Sequence, residues 1–367
     1  MAVEIDLSGR KIRRTVSRDL GVMVTGSTSH GAMTLILTLV HRDYVLQSSD
    51  RLVSLAQRGE LREGDRRANK CVIYRATDGV LSIGYAGYAY LGGMPADEWI
   101  VETLLRKPLD GPRTPDGRRF GIQSGASIAP LTAPQAAWEI EQAIRKAVPP
   151  DQHFEIVLAG FRQRRNRILP YWVDIQKRAN DSVRVLNRSK RFPEVNGRYA
   201  LIWQGGGVTA TEMVELHERL RSLGKQIAEQ HERNPNLKEV STVMVQFTRD
   251  MADVHDGIGK NVLTVGLTQW GRGYCEFHGA ERHPLRLVGN RSSPIEVVDS
   301  AQRPWIVSPG LLAAPSYEVG VSDFNLCGYE FRSIGADATG GLLGLSSSIR
   351  RPTIAEMIGR STTTTPD

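Results

Sequence analysis

Three polar positions in the first fifth of the chain hold residue types that suit nucleophilic catalysis. Thr34 opens an apolar, β-prone run, Asp50 closes the run that follows it, and Lys70 stands directly before the next apolar run. A hairpin would place Thr34 and Asp50 near the same end of a sheet, and Lys70 enters a neighbouring strand. A threonine hydroxyl is a poor nucleophile at neutral pH, so it needs an adjacent base.

The elements that position these residues are predicted from apolar periodicity and turn signals. The charged stretch from Leu55 to Arg67 is predicted to be a loop. Helices are predicted at 97–107, 135–148, from an N-cap at Thr209 to about 232, and at 237–254. Strands are predicted at 35–40, 44–48, 71–74, 80–85, 154–160, 168–175, 199–203, 261–268 and 273–278.

The order of elements alternates runs of strands with pairs of helices, which favours a layered sheet sandwich flanked by helices. We expect residues 1–33 to form an N-terminal extension that is poorly ordered alone. Residues 34–278 form the predicted domain. Residues 279–367, where Pro, Ser and Gly become more frequent, are expected to be an appended lobe with a tail.

The ordered set of motifs resembles the proteasome-type family of N-terminal nucleophile (Ntn) hydrolases, most closely its uncharacterised bacterial β-subunit-like proteins. The resemblance spans roughly Thr34 to Thr268. It rests on the threonine-led strand, Ser49-Asp50-Arg51, Lys70 before a strand, Ala86-Gly87 after a strand, the glycines 205–207 before a long helix, and Arg249-Asp250 followed by Asp256-Gly257-Ile258. It implies an α+β fold, the four-layer αββα sandwich, and self-association, possibly into rings.

The resemblance also implies a role for each site residue. Thr34 would be the nucleophile of amide hydrolysis, with its own free α-amine as base, since an α-amine has a pKa of about 7.7–8.0. Lys70 would favour deprotonation of the hydroxyl, Asp50 would orient Lys70, and the Gly87 N–H would stabilise the oxyanion. Asp250 would support the site. The sequence departs from the family at Gly206 and near Asp253, where serines are expected.

Thr34 can act in this way only when its amine is free. The chain could cut itself between Met33 and Thr34. Alternatively, translation could begin at Met33, and removal of methionine before a small threonine would then expose the amine. The abrupt change in composition at Met33 favours the second route, in which residues 1–32 are a misassigned or alternative start.

The chain has 367 residues and a net charge of +7, and the excess of positive charge is local. Residues 162–198 hold eleven Lys or Arg and three Asp or Glu, so this basic segment alone carries +8. It could bind phosphate groups. Such a run is more often a solvated turn, and aromatic residues for base stacking are few apart from Tyr171 and Trp172. Nucleic acid is therefore not the favoured partner.

Other classes of protein are excluded or less favoured. No apolar run approaches the length of a membrane span. Cys71, Cys275 and Cys327 are far apart and show no metal-ligand spacing, which favours reduced thiols and a cytoplasmic location. No metal or organic cofactor is implied. A peptide or a smaller amide remains open as the substrate, and the main alternative is a non-catalytic proteasome-like assembly subunit with Thr34 internal.

Overall fold

The computed structural model describes residues 34–57, 60–65, 68, 70–109, 121–124, 131–189, 199–205, 210–233, 237–269 and 273–278. It also describes short strands at 4–5, 11–12, 15–17, 22–27, 295–297, 305–308, 311–314 and 324–327. Within these ranges the chain is a mixed α/β protein whose sheets are mainly antiparallel and which has four helices. None of the helices in this part of the chain is long and apolar enough to span a membrane.

The helices are α1 (Ala96–Leu105), α2 (Ala133–Ala147), α3 (Ala210–Arg233) and α4 (Leu237–Ala252). The strands before α1 are β1 (Glu4–Ile5), β2 (Lys11–Ile12), β3 (Thr15–Ser17), β4 (Val22–Ser27), β5 (Ile36–His41), β6 (Tyr44–Asp50), β7 (Val53–Gln57), β8 (Glu60–Asp65), β9 (Cys71–Ala76), β10 (Gly79–Gly87), β11 (Tyr90–Leu91) and β12 (Met94–Pro95). The later strands are β13 (Gly121–Ser124), β14 (Phe154–Arg164), β15 (Arg167–Lys177), β16 (Arg184–Asn187), β17 (Tyr199–Gln204), β18 (Val262–Thr268), β19 (Gly273–His278), β20 (Ile295–Val297), β21 (Trp305–Ser308), β22 (Leu311–Ala314) and β23 (Phe324–Cys327).

Two large sheets organise the described residues. The first has eight strands in the order β13-β22-β21-β9-β10-β14-β15-β16, and the second has nine in the order β20-β23-β19-β18-β6-β5-β17-β4-β3. Lys70 directly precedes β9 of the first sheet, whereas Thr34 and Asp50 belong to the β5–β6 hairpin of the second. Any contact between Lys70 and the other two residues therefore crosses from one sheet to the other.

The apolar core forms three clusters that follow from the alternation of side chains along the strands. One cluster joins α1 and α2 to β9, β10, β14 and β15. A second joins the facing sides of the two large sheets, with Val45 and Trp172 among its members. The third joins α3 and α4 to β5, β6 and β17. Strands of both large sheets thus share the middle cluster, and each pair of helices shares a separate cluster with strands of one sheet.

Local signals explain where the helices of the first sheet begin and end. Thr132 caps α2, because its hydroxyl accepts the N–H of Gln135 while the Gln135 side chain accepts the N–H of Thr132. Helix α1 ends at Arg106, whose φ of 55° lies in the left-handed region. The four helices predicted from periodicity are confirmed to within a few residues, although the predicted N-cap Thr209 lies outside the described residues.

Two expectations about the strands differ from the structure. The prediction of a loop from Leu55 to Arg67 is wrong, since β7 and β8 pair there as an antiparallel hairpin. The expected N-terminal extension contributes β4, which pairs in parallel with β17 from Val22 to Ser27. The proposed division of the chain at residues 33/34 and 278/279 stays a prediction.

Candidate functional site

Thr34 and Lys70 meet at the ends of two strands that belong to different sheets. The Nζ atom of Lys70 donates a hydrogen bond to Oγ1 of Thr34 at 3.1 Å. Both residues are buried, with 8% of Thr34 and 2% of Lys70 exposed. A hydroxyl therefore lies against a buried cation, which is the arrangement that favours an alkoxide over a neutral alcohol.

Asp50, the last residue of β6 in the second sheet, is fully buried and binds Lys70. Lys70 Nζ donates to both carboxylate oxygens, at 3.0 Å and 2.9 Å. The same carboxylate accepts the backbone N–H groups of Leu35 at 2.8 Å, Leu52 at 3.1 Å and Gly259 at 3.2 Å. Since every one of these partners is a donor, the geometry fits an ionised carboxylate.

The contacts of Lys70 determine what its side chain can do. Besides Thr34 and Asp50, its Nζ atom donates to the carbonyl oxygen of Leu52. All of these partners can accept hydrogen bonds, which fits an ammonium group at Lys70, and an ammonium has no lone pair with which to take a proton. Lys70 can therefore stabilise a developing alkoxide, but the base has to be another group.

The backbone around Thr34 is fixed on both sides. Asp50 N–H donates to the carbonyl oxygen of Leu35 at 3.1 Å, which complements the bond from Leu35 N–H to the Asp50 side chain. On the other side Gly205 follows β17, and a Cβ at this position would lie 2.1 Å from the carbonyl oxygen of Thr34. Only glycine permits this approach. Gly206, where the sequence departs from the resembled pattern, lies outside the described residues.

Gly87 ends β10 with a φ of +96°, and a Cβ there would lie 2.4 Å from the carbonyl oxygen of His153. Tyr85 N–H donates to the carbonyl of Lys70 at 3.2 Å, while Tyr88 N–H donates to the carbonyl of His153 at 3.0 Å. N–H groups two residues apart on a regular strand point to the same edge, so we expect the N–H of Gly87 to point to the edge of β10 where Tyr85 bonds to Lys70.

His153, beside Gly87, is not suited to act as a cation at this edge. Burial, together with the smaller effects of the nearby charges of Arg178 and Lys177, lowers the pKa of its imidazole to about 4. The imidazole is therefore neutral near pH 7. Its Nε2 atom lies 3.4 Å from Glu155 on β14.

Asp250, unlike Thr34, Asp50 and Lys70, is not part of this cluster. It is exposed near the end of α4, and its Oδ1 atom accepts a hydrogen bond from Gln246 Nε2 at 2.7 Å. Asp253, the second position of departure, forms an exposed ion pair with Lys260. The supporting role implied for Asp250 thus has no contact with Thr34, Lys70 or Asp50 among the described hydrogen bonds.

Sequence reasoning missed the backbone groups that complete the site. The carbonyl of Leu52 and the N–H of Gly259 both face the Lys70–Asp50 pair, and residue type carries no direct signal for such groups. The glycine itself offered a clue. A Cβ on Gly259 would lie 2.8 Å from Cβ of Leu52, so this loop can reach Asp50 only with glycine there.

Other reactive side chains near the cluster are inert or otherwise engaged. Cys71 follows Lys70 but is buried, and desolvation raises the pKa of its thiol to about 12 although its bond to Ser82 works in the opposite direction. It is therefore a neutral thiol rather than a nucleophile. Within the described ranges, no three His, Cys, Asp or Glu side chains are grouped as ligands for a metal ion.

The basic segment is only partly free to meet an anion. Arg162 pairs with Asp78, and Arg188 pairs with the buried Asp174 at 2.8 Å. Its exposed arginines among the described residues are Arg164, Arg165 and Arg167, at or beside the turn between β14 and β15, and Arg184 on β16. Tyr171 and Trp172, the two aromatic residues of the segment considered for base stacking, are buried. Residues 190–198 lie outside the described part of the chain.

Comparison with known proteins gives a fold likeness at a distance. No family model matches the chain, and no curated protein matches it. Solved structures that resemble it include Anbu from Hyphomicrobium sp. strain MC1, with 13% identity, coverage of 67% of this chain and 88% of that chain, and a TM-score of 0.39. Anbu (ancestral beta-subunit) from Yersinia bercovieri shows 12% identity, coverage of 64% and 81%, and a TM-score of 0.36.

These comparisons correct the expected family. Membership of the proteasome-type N-terminal nucleophile hydrolases, near uncharacterised bacterial β-subunit-like proteins, is wrong, because the neighbours are Anbu, a distinct proteasome-like family, at 12–13% identity. At TM-scores of 0.36–0.39 the likeness supports no argument about activity. Any conclusion about chemistry has to come from the residues around Thr34.

Proposed function

We propose that the protein hydrolyses an amide bond with Thr34 as the nucleophile. The observation that carries the proposal is the hydrogen bond from Lys70 Nζ to Thr34 Oγ1 at 3.1 Å, within a buried cluster that Asp50 holds together. A structural ion pair needs no hydroxyl. Here the Lys70 side chain bonds both to the Asp50 carboxylate and to the Thr34 hydroxyl. A positive charge at this position would lower the free-energy cost of deprotonating Thr34.

The base in this proposal is the α-amine of Thr34, because Lys70 has no lone pair to offer. In the chain as it stands this nitrogen belongs to the peptide bond with Met33. The activity therefore requires that residues upstream of Thr34 be removed, by self-cleavage before Thr34 or by a start at Met33. The freed amine, with a pKa of about 7.7–8.0, would be partly neutral near pH 7 and could accept the hydroxyl proton.

The proposed reaction balances with these groups alone. Thr34 Oγ1 attacks the carbonyl carbon of the amide as its proton passes to the α-amine, and the C–N bond breaks as that proton passes to the leaving amine. Water then attacks the resulting ester and restores the hydroxyl. The Gly87 N–H, which faces the edge near Lys70, would donate to the oxyanion, a contribution of about 2.7–4 kcal/mol. The substrate class, a peptide or a smaller amide, stays open.

The architecture that we infer for this site is the four-layer αββα sandwich. Its support is the membership of three apolar clusters. One is shared by α1, α2 and strands of the first sheet, one by strands of both sheets, and one by α3, α4 and strands of the second sheet. The inference also keeps residues 34–278 as the catalytic domain. Homo-oligomerisation and a cytoplasmic location remain predictions with it.

The decisive experiment combines the mature N-terminus with chemical labelling. Purified protein, expressed with its natural start and also from Met33, is analysed by intact mass and incubated with a threonine-directed electrophile such as a β-lactone. We expect a mature chain that begins at Thr34 and takes up one label per chain at that residue. Thr34→Ser keeps a hydroxyl and should retain labelling, whereas Thr34→Ala should lose it.

Two outcomes contradict the proposal. A folded mature chain that begins anywhere but at Thr34 removes the base and with it the mechanism. A chain that begins at Thr34 and takes up no label favours the alternative, a non-catalytic assembly subunit. The Thr34→Ala variant is the control for reaction of the electrophile at other hydroxyls or thiols, which would label this variant as well.

A further inference from the structure

The space between the two large sheets contains a chain of buried polar side chains that the proposed reaction does not use. Gln47 lies on β6, and its Oε1 atom accepts a hydrogen bond from Ser82 of β10 at 2.7 Å. Its Nε2 atom donates to Thr38 Oγ1 on β5 at 3.0 Å. Ser82 in turn lies 3.1 Å from the Cys71 sulfur on β9. These side chains are at most 1% exposed.

The polar chain adjoins the apolar cluster that joins the facing sides of the two sheets, and Cys71 belongs to both. Apolar contacts are non-directional, so two apolar sheet faces can slide by small amounts at little cost. A buried hydrogen bond has a preferred length and angle and is costly to break, so it fixes position. The bond from Ser82 to Gln47 is such a directional link between the two sheets.

Gly84 provides the space for this link. It lies on β10, two residues after Ser82, and a Cβ there would lie 2.6 Å from the Nε2 atom of Gln47. Any side chain at position 84 would therefore displace the amide. The side chain of Gln47 on β6 thus occupies the space that a side chain at position 84 on β10 would fill. It fits there only when β6 and β10 keep this relative position.

The link lies close to the Thr34 cluster along both sheets. Gln47 precedes Asp50 by three residues on the same strand, a separation of about 10 Å. On the other sheet, Gly84 is paired with Cys71, the residue directly after Lys70. A shift of one sheet relative to the other at Gln47 would therefore move Lys70 relative to Asp50 and Thr34.

We infer that Gln47 is a positioning residue, which sets the separation of Lys70 Nζ from Thr34 Oγ1 by fixing the register between the two sheets. The inference rests on the proposed function for its catalytic meaning, but its geometric content is independent of activity. Gln47 acts through Lys70 and makes no described contact with Thr34.

The test must separate register from simple stability, because Gln47→Met alone leaves the hydroxyls of Thr38 and Ser82 buried without their partner. A triple variant, Gln47→Met with Thr38→Val and Ser82→Ala, removes all of these polar groups together and should fold, since replacing both partners of a buried bond can be nearly neutral. Ser48→Ala is the matched control. Ser48 neighbours Gln47, but its hydroxyl lies 3.4 Å from that of Thr248 on α4, away from the other sheet.

Two measurements are made on the wild type, the triple variant and Ser48→Ala in the mature form. Crystal structures give the separation of Lys70 Nζ and Thr34 Oγ1, and a β-lactone gives the rate of Thr34 labelling. In the triple variant we expect the separation to exceed the hydrogen-bond limit of about 3.5 Å and the labelling rate to fall on the order of 10²-fold at unchanged thermal stability. Ser48→Ala should match the wild type in both.

Each outcome decides the inference. A separation that stays at 3.1 Å in the folded triple variant overturns it, whatever the labelling rate does. Where the wild type is labelled, a triple variant that is labelled at the same rate overturns it as well. A longer separation in the triple variant, combined with a wild type that takes up no label, supports the positioning role of Gln47 and contradicts the proposed function instead.

Discussion

Two buried ion pairs in this protein have the same charges and different surroundings. Lys70 and Asp50 lie where the two large sheets meet at Thr34, whereas Arg188 and Asp174 lie on and beside β15 and β16. Asp50 accepts three backbone N–H groups in addition to the lysine. Asp174 accepts Trp172 Nε1 at 2.6 Å in addition to the arginine, whose guanidinium lies 5.5 Å from the centroid of the Trp172 ring.

The difference teaches what each cation is suited to do. An ammonium is a compact charge with three donors, so Lys70 can bind a carboxylate and a hydroxyl at one point. A guanidinium is a planar fork that stacks on aromatic rings, and Arg188 uses it on Trp172. The pair of Asp174 and Arg188 is thus a structural pair, and the pair of Asp50 and Lys70 has a donor directed at a nucleophile.

Removal of each carboxylate charge should give the largest contrast. Asp50→Asn leaves the buried Lys70 without its partner, so it should lower the free energy of unfolding by about 3–5 kcal/mol. Asp174→Asn should have a smaller effect, because Arg188 is partly exposed and also lies over the Trp172 ring, and because burial disfavours the charged form of Asp174. Only Asp50→Asn should also reduce Thr34 labelling, by at least 10²-fold. Denaturant unfolding and β-lactone labelling measure the two effects. Equal labelling in both variants would erase the distinction between the pairs.

Replacement of the cation at the candidate site tests the geometry of the donors. In Lys70→Arg the positive charge remains, but a planar fork cannot reach Thr34, Asp50 and the Leu52 carbonyl from one point. The labelling rate should fall about 10²–10³-fold. Full labelling in Lys70→Arg would show that charge alone is sufficient, and the mature N-terminus of this variant has to be verified by intact mass.

The response of stability to pH should distinguish Asp174. Burial raises the pKa of its carboxyl above the ordinary 3.8, against the effects of Arg188 and the bond from Trp172. A carboxyl whose pKa is higher in the folded state than in the unfolded state stabilises the protein below pH 3.8. This contribution to the free energy of unfolding is lost as the pH rises through the folded pKa, by at most about 1.4 kcal/mol per pH unit.

Urea denaturation of the wild type and Asp174→Asn at several pH values from 4 to 8 measures this effect. The variant lacks the titrating group. Its free energy of unfolding should therefore increase relative to that of the wild type as the pH rises. Parallel curves across this range would show that Asp174 does not titrate differently in the folded state.

The smallest expected effect is that of exchanging the structural cation. Arg188→Lys keeps the charge beside Asp174 and loses the stacking on Trp172, so unfolding should become easier by about 1 kcal/mol. Thr34 labelling should stay at the wild-type rate. A large loss of labelling would connect this pair to the candidate site, contrary to the comparison above.

Local sequence patterns predicted the elements that can be recognised without knowing which other element they pair with or pack against. The apolar periodicity of α2 and the alternation of β9 are visible in the sequence, and both were placed correctly to within a few residues. The β7–β8 hairpin was missed because Glu60 to Asp65 is mostly charged, with Leu61 as its only large apolar residue. The parallel pairing of β4 with β17 joins residues about 177 positions apart, which no local pattern reveals.

The candidate site shows the same limit. Thr34, Asp50 and Lys70 were found because their side chains are chemically distinctive, and the structure brings them together. The carbonyl of Leu52 and the N–H of Gly259 belong to groups that almost every residue carries, so only the fold identifies them. Asp250 was included through a family resemblance alone, and it lies on an exposed part of α4.

The pairing of β4 has a consequence for any cut before Thr34. Ser27 of β4 and Ile36 of β5 both pair with Gln204 of β17. A cut before Thr34 breaks one covalent bond and leaves the six residue pairs between β4 and β17 in place. The segment upstream of the cut would then be a noncovalently bound ligand of its own protein. The fraction that stays bound would depend on the protein concentration and on the dissociation constant of the segment.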